Sequence, residues 1–109
     1  MRTAPLPPER CPLAQTAEIL CDRWTPLILR DLARGLGRFS ELERSIRGIS
    51  PKTLSTRLKQ LEAAGLIRRI DEHAGRPRYE LTPRGQALLP LIRAMREYGR
   101  IWLSASALQ

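Results

Sequence analysis

The run Ser50-Pro51-Lys52-Thr53-Leu54-Ser55-Thr56-Arg57-Leu58-Lys59-Gln60-Leu61-Glu62-Ala63-Ala64-Gly65 constrains the chain most, because it writes a helix with both ends marked and two unlike faces. The Ser50 hydroxyl suits the N-cap, Pro51 suits the first helical position, where a missing N–H is no loss, and Gly65 supplies a left-handed stop. At roughly 100° per residue, Leu54, Leu58 and Leu61 fall on one narrow core stripe. Lys52, Thr56 and Lys59 lie opposite, with Thr53, Ser55 and Gln60 on the flanks, so the outer face carries short polar and basic groups. Arg57 falls nearer the leucines, which points it toward a neighbouring element or a structural ion pair.

The segments on either side give this helix a context. Ser40-Glu41-Leu42-Glu43 has the spacing of a capping box, with Ile46 one turn beyond Leu42, so a short helix is expected there. Gly48 and Ile49 alone separate it from the Ser50 cap, which matches the tight turn of a helix-turn-helix unit running from Ser40 to Gly65. Leu66-Ile67-Arg68-Arg69-Ile70 and Arg78-Tyr79-Glu80-Leu81 are β-prone runs around the turn-rich stretch Asp71 to Pro77, and predict a hairpin. Upstream, Pro12 opens a first helix with Leu13, Ala17 and Leu20 at helical spacing, closed by Asp22-Arg23. Thr25-Pro26 caps a second, apolar nearly all round through Leu27, Ile28, Leu29 and Leu32 until Gly35 and Gly37, which should be central and buried. Thr82-Pro83 caps a last helix carrying Leu88, Leu91, Ile92, Met95, Tyr98, Ile101 and Trp102, in which Pro90 should cause a kink or a break. That helix shows more apolar side chains than a domain this small can cover, so its outer part is expected to pack on a second subunit.

A chain of 109 residues leaves room for one domain, here 11–109 behind a proline-rich, flexible arm at 1–10. Nineteen Lys and Arg against eleven Asp and Glu give a net charge of +8, which makes nucleic acid the default partner. Charge alone does not separate that partner from a merely soluble basic surface; the spacing of the helices does. No apolar run approaches the roughly 18 residues of a membrane span, and the arm has no signal-peptide core, so no membrane is expected and the location reads as cytoplasmic. Two cysteines and one histidine build neither a disulfide framework nor a zinc site, and no cofactor or metal is expected. An enzyme is disfavoured on inventory: one histidine in a turn, no nucleophile elbow, no phosphate loop and no convergent carboxylates.

Helix, helix, helix-turn-helix, basic hairpin, helix is the order of a winged helix-turn-helix, mainly α with a small β-hairpin. The chain resembles the HxlR-type regulators, bacterial relatives of the MarR group. The likeness rests on Cys11-Pro12, Asp22-Arg23-Trp24-Thr25 with Leu27-Ile28-Leu29-Arg30-Asp31-Leu32, and Arg38-Phe39-Ser40-Glu41-Leu42. It continues through Gly48-Ile49-Ser50-Pro51-Lys52-Thr53-Leu54-Ser55, Arg57-Leu58-Lys59-Gln60-Leu61-Glu62, Gly65-Leu66-Ile67 and Tyr79-Glu80-Leu81-Thr82-Pro83-Arg84-Gly85, and so spans about 11–102. The resemblance implies a homodimeric transcriptional regulator that dimerises through its terminal helices, sets one recognition helix per subunit in the major groove of double-stranded DNA and lays the wing beside the backbone. Cys21 stands where such proteins usually have glycine, and either alters the corner between the first two helices or fills it.

The recognition helix of a helix-turn-helix meets base edges with its N-terminal part, which makes Lys52, Thr53, Ser55 and Thr56 candidates for base or groove contact and Lys59 for phosphate. Arg76 and Arg78 bracket Pro77 as a basic tip suited to a phosphate backbone or a narrow minor groove, with His73 a weaker candidate. Arg38 and Ser40 stand at a helix N-terminus, where a phosphate oxygen would be welcome unless capping occupies Ser40. Two-fold symmetry predicts an inverted-repeat operator with half-sites about 34 Å apart. Cys11, beside Arg10 at the start of the first helix, sits where the positive helix end and the cation favour a thiolate. Some relatives detect oxidants or electrophiles with an N-terminal cysteine, and the resemblance extends that role to Cys11 alone, the other reading being a cysteine packed at the dimer interface. The competing function is a winged helix serving as a protein-interaction or RNA-binding module.

Overall fold

Residues 11–73 and 75–103 are described by the computed structural model; the expected arm at 1–10 and the side chain of His73 lie outside the described residues. The first helix, α1 (Pro12–Leu20), starts at Cys11, whose Sγ accepts the N–H of Ala14 at 3.5 Å. Only Leu20 of α1 is buried, while Leu13 is 78% exposed. The expected core stripe therefore fails in the first turn, and α1 is anchored to the domain by its C-terminal end.

The second helix, α2 (Thr25–Ala33), is capped differently from expectation. Asp22 Oδ1 accepts the N–H groups of Trp24 and Thr25, both at 2.8 Å, and Oδ2 accepts the Thr25 hydroxyl at 2.5 Å. A carboxylate takes both N–H groups at once, so it replaces the weaker Thr25 hydroxyl cap and leaves Thr25 buried as the first helical residue. Ile28 and Leu29 are fully buried, with Leu32 beside them, as the apolar run requires of a central helix.

The third helix, α3 (Phe39–Ser45), begins ahead of the expected cap. Glu41 Oε1 accepts the N–H of Arg38 at 3.0 Å, so the box falls on Arg38 and Glu41 instead of Ser40 and Glu43, and Ser40 is an exposed first-turn residue. The turn is also longer than expected, 46–50, with Ile46 and Ile49 buried and Gly48 at φ +87. Gly48 faces the tip of the Trp24 ring: a Cβ there would stand 3.8 Å from Trp24 Cη2. The fourth helix, α4 (Pro51–Ala63), follows expectation closely, with Ser50 Oγ accepting the Thr53 N–H at 3.1 Å, Leu54, Leu58 and Leu61 buried, and Gly65 at φ +77.

Strands β1 (Ile67–His73) and β2 (Arg76–Leu81) pair antiparallel from Ile67 opposite Leu81 to Asp71 opposite Pro77, with an irregularity between Asp71 and His73. The hairpin is longer than expected, since 71–73 and Arg76-Pro77 belong to the ladder. Cross-strand pairing holds these polar residues extended where composition alone suggests a loop. The Arg38 backbone bridges Arg78 on the other edge of β2, and Tyr79 donates its N–H to the Gly37 carbonyl at 2.8 Å. Gly37 lies so close that a Cβ would collide with the Tyr79 carbonyl oxygen, which makes glycine the residue for this approach.

The last expected helix is two: α5 (Pro83–Gln86) and α6 (Leu89–Trp102). The break expected near Pro90 lies just before it, and the proline occupies the first turn of α6, where it costs little. α5 ties three parts together at the root of the wing. Thr82 Oγ1 donates to the Gly65 carbonyl at 2.6 Å, Arg84 Nη1 donates to the Ala64 carbonyl at 3.2 Å, and Gly85 is buried against the Leu66 carbonyl, which a Cβ would overlap. On α6, Ile92 joins the core while Leu91, Met95, Tyr98, Ile101 and Trp102 remain exposed. No helix among the described residues is long and apolar enough to cross a membrane.

Candidate nucleic-acid interface

The leucine stripe of α4 fixes which side chains it can offer outward. Lys52, Thr56 and Lys59 are exposed, and Thr53 and Ser55 are half-buried on the flanks. Neither lysine is in an ion pair among the described residues. Thr53 Oγ1 accepts the Ser50 hydroxyl at 2.9 Å, which draws one flank residue into the cap.

Arg57 turns back toward the domain, as its angle on the helix predicts. Its Nη1 donates to Gln60 Oε1 at 2.6 Å and its Nε lies 3.7 Å from Asp22 Oδ1. Burial alone would push the Asp22 carboxyl up, but the Thr25 hydroxyl, the N–H groups of Thr25 and Trp24 and the Arg57 cation together hold it below its ordinary value. Asp22 thus caps α2 and meets the recognition helix with the same carboxylate oxygen.

The wing is organised by carboxylates. Arg78 Nε lies 2.8 Å from Glu72 Oε1 and its Nη1 3.3 Å from Glu80 Oε2. Arg68 pairs with Glu80, and Arg69 Nε lies 3.2 Å from Asp71 Oδ1. Arg38 Nη2 lies 3.1 Å from Glu72 Oε2, and Arg38 Nη1 donates to the Arg76 carbonyl at 3.1 Å. The Arg78 hydrogen bond holds the Glu72 carboxyl below its usual range, and that of Arg68 does the same for Glu80. Hydrogen bonding to Glu72 likewise raises the Arg78 guanidinium. The expectation of an open helix N-terminus at Arg38 and Ser40 is corrected: Glu41 takes the Arg38 N–H, and the Arg38 guanidinium is fastened to the wing. The Arg76 side chain is exposed and, among the described residues, in no ion pair.

The HxlR-like helix-turn-helix family model matches residues 19–107. The chain belongs to the HxlR-like helix-turn-helix family. It is 39% identical over 103 residues to the HTH-type transcriptional regulator YvaP of Bacillus subtilis, covering 92% of this chain and 95% of that one. The crystal structure of PA1607 is similar at a TM-score of 0.81 and 35% identity, over 88% of this chain and 68% of that one. The redox regulator HypR in its oxidized form is similar at 0.80 and 27%, over 87% of this chain and the whole of that one. This HxlR-like protein is accordingly a helix-turn-helix transcriptional regulator with a winged fold, a class whose partner is DNA.

In this HxlR-like chain the two cysteines stand at opposite ends of α1. Cys11 is half-buried at its N-cap, and Cys21 is exposed at its C-cap with its N–H donated to the Ala17 carbonyl. The helix between them is continuous, so their Cα atoms are about 15 Å apart, far beyond disulfide reach. Cys21 does not fill the corner between α1 and α2, which Asp22 builds instead. Sequence reasoning also passed over Arg47, exposed in the turn three residues before the Ser50 cap and unpaired among the described residues. Its place immediately ahead of Gly48 was the available signal.

Proposed function

We propose that the protein binds an inverted-repeat operator as a homodimer and represses transcription by occupying the promoter, from the cytoplasm. One observation carries the reading: α4 presents Lys52, Thr56 and Lys59 outward with neither lysine neutralised, on a helix whose opposite face is locked into the core. Lys52, Thr53, Ser55 and Thr56 serve as groove readers, Lys59 as a phosphate contact, and Arg76 and Arg78 as wing contacts, with Arg38 and Ser40 following the backbone. The exposed Leu91, Met95, Tyr98, Ile101 and Trp102 of α6, with Leu13 of α1, supply the apolar area for a second copy. Mobility shift and footprinting with the promoter beside the protein's own gene test this: a two-fold footprint one helical turn in spacing supports it, and a direct-repeat or absent footprint sinks it.

Cys11 is proposed as an oxidant- or electrophile-responsive thiol. Its support is its place at the α1 N-cap together with the likeness to HypR, a redox regulator whose reduced and oxidized forms have both been solved. Diamide or a quinone should release the wild-type protein from DNA and leave Cys11→Ser bound; equal insensitivity of both removes the idea.

A further inference from the structure

Between α2 and α6 lies a groove of about 740 Å³, within the range of small-molecule sites. Its walls are apolar, formed mainly by Leu27 of α2 and by Leu89, Ile92 and Met95 of α6. Arginines surround these walls: Arg30 and Arg34 from α2 and its C-cap, Arg93 and Arg96 from α6. The α2 pair is already engaged, because one oxygen of the fully buried Asp31 lies 2.9 Å from Arg30 Nε and 3.2 Å from Arg34 Nη1. Arg93 and Arg96 are in no ion pair among the described residues. They also stand three or four residues from Leu89, Ile92 and each other, which puts both cations on the groove side of α6 rather than spread around its solvent face. Four guanidinium groups against one carboxylate leave an excess of positive charge beside an apolar slot.

We propose that this groove is a binding site for a small amphipathic carboxylate, an aryl acid of one or two rings. The rings lie against Leu27, Leu89, Ile92 and Met95, and the carboxylate is held by Arg93 and Arg96, whose guanidinium forks suit two-oxygen acceptors. The site is separate from the DNA-facing side of α4 and does not depend on the operator reading.

The probe is 1-naphthoate, with 1-naphthamide as its uncharged counterpart. Met95 is one of two methionines in the chain, so a methyl-labelled methionine spectrum reads the groove directly. Naphthoate should move the Met95 methyl resonance saturably, and the amide should bind about tenfold more weakly, since it keeps the stacking area and loses the charge. The double variant Arg93→Gln/Arg96→Gln should bring naphthoate down to the level of the amide and leave the amide unchanged, while Leu27→Trp, which fills the slot, should remove both. An unmoved Met95 signal, equal affinities for acid and amide, or undiminished naphthoate binding by the double variant each overturns the proposal; the first two need only the wild-type protein.

Discussion

The recognition helix and the wing both present cations, yet they hold them in different states. On α4, Lys52 and Lys59 stand exposed without a carboxylate partner among the described residues. On the wing, Arg68, Arg69 and Arg78 each carry an acidic partner, and Arg38 is drawn in by Glu72, so that Arg76 alone keeps an exposed side chain outside the network of described ion pairs. Formal charge counts these residues alike. A phosphate approaching α4 meets an unengaged ammonium, whereas one approaching Arg78 must displace or share Glu72 and Glu80. The difference teaches that the wing's arginines first serve the shape of the hairpin and its attachment to the start of α3.

The largest effect should come from the unengaged side. Lys52→Glu is expected to weaken specific DNA binding by about a hundredfold or more, through lost attraction and new repulsion, with an unchanged far-UV spectrum because the residue touches no core. Wild-type affinity in that variant would remove α4 from the interface. On the wing, Arg76→Ala should cost about fivefold in affinity and make the salt dependence shallower by about 0.9 in log–log slope, one phosphate's worth. Arg78→Ala should cost less than Arg76→Ala; the reverse order, measured by fluorescence anisotropy, breaks the contrast drawn here. Smaller still, Glu72→Gln releases Arg78 and Arg38 together and should tighten binding about two- to threefold at low salt.

The smallest expected effect is on stability at acid pH. Asp22, Glu72 and Glu80 are all held below the ordinary carboxylate value in the folded chain. Their contribution is therefore complete above about pH 4, the unfolded-state value, and is lost as pH falls through the depressed folded values. Denaturant unfolding between pH 5 and pH 2 should show this decline, and Asp22→Asn should flatten it by less than about 1 kcal/mol, since an asparagine still caps α2.

Much of this architecture was legible from residue order. The α4 stripe of Leu54, Leu58 and Leu61, its cap and stop, the hairpin, and the break near Pro90 each follow from local chemistry, and local chemistry prevailed. What was hidden depended on partners distant in sequence. Nothing near Arg38 announces that its backbone will bridge Arg78 or that its guanidinium will meet Glu72, and that attachment goes with the cap falling on Glu41. Likewise Asp71 to His73 reads as loop composition until β2 pairs with it. Asp22 was visible only as a helix-ending polar residue, because its second role requires Arg57, brought to it by the packing of α4. Exposure of Leu13 was equally hidden, since spacing gives a face but not how far the core extends beneath it.

The contact between Gly48 and Trp24 makes the protein its own optical gauge. Trp24 is half-buried under the Arg23 guanidinium, 4.7 Å from the ring centre, with its ring tip toward the turn that leads into α4, while Trp102 is 68% exposed near the end of α6. These are the chain's two tryptophans, and their surroundings separate their emission: a shielded, bluer component that registers movement of the turn, and a wetter, redder one that registers whatever covers α6. Intrinsic fluorescence, without any label, therefore distinguishes an event at the DNA-reading end from an event at the apolar end.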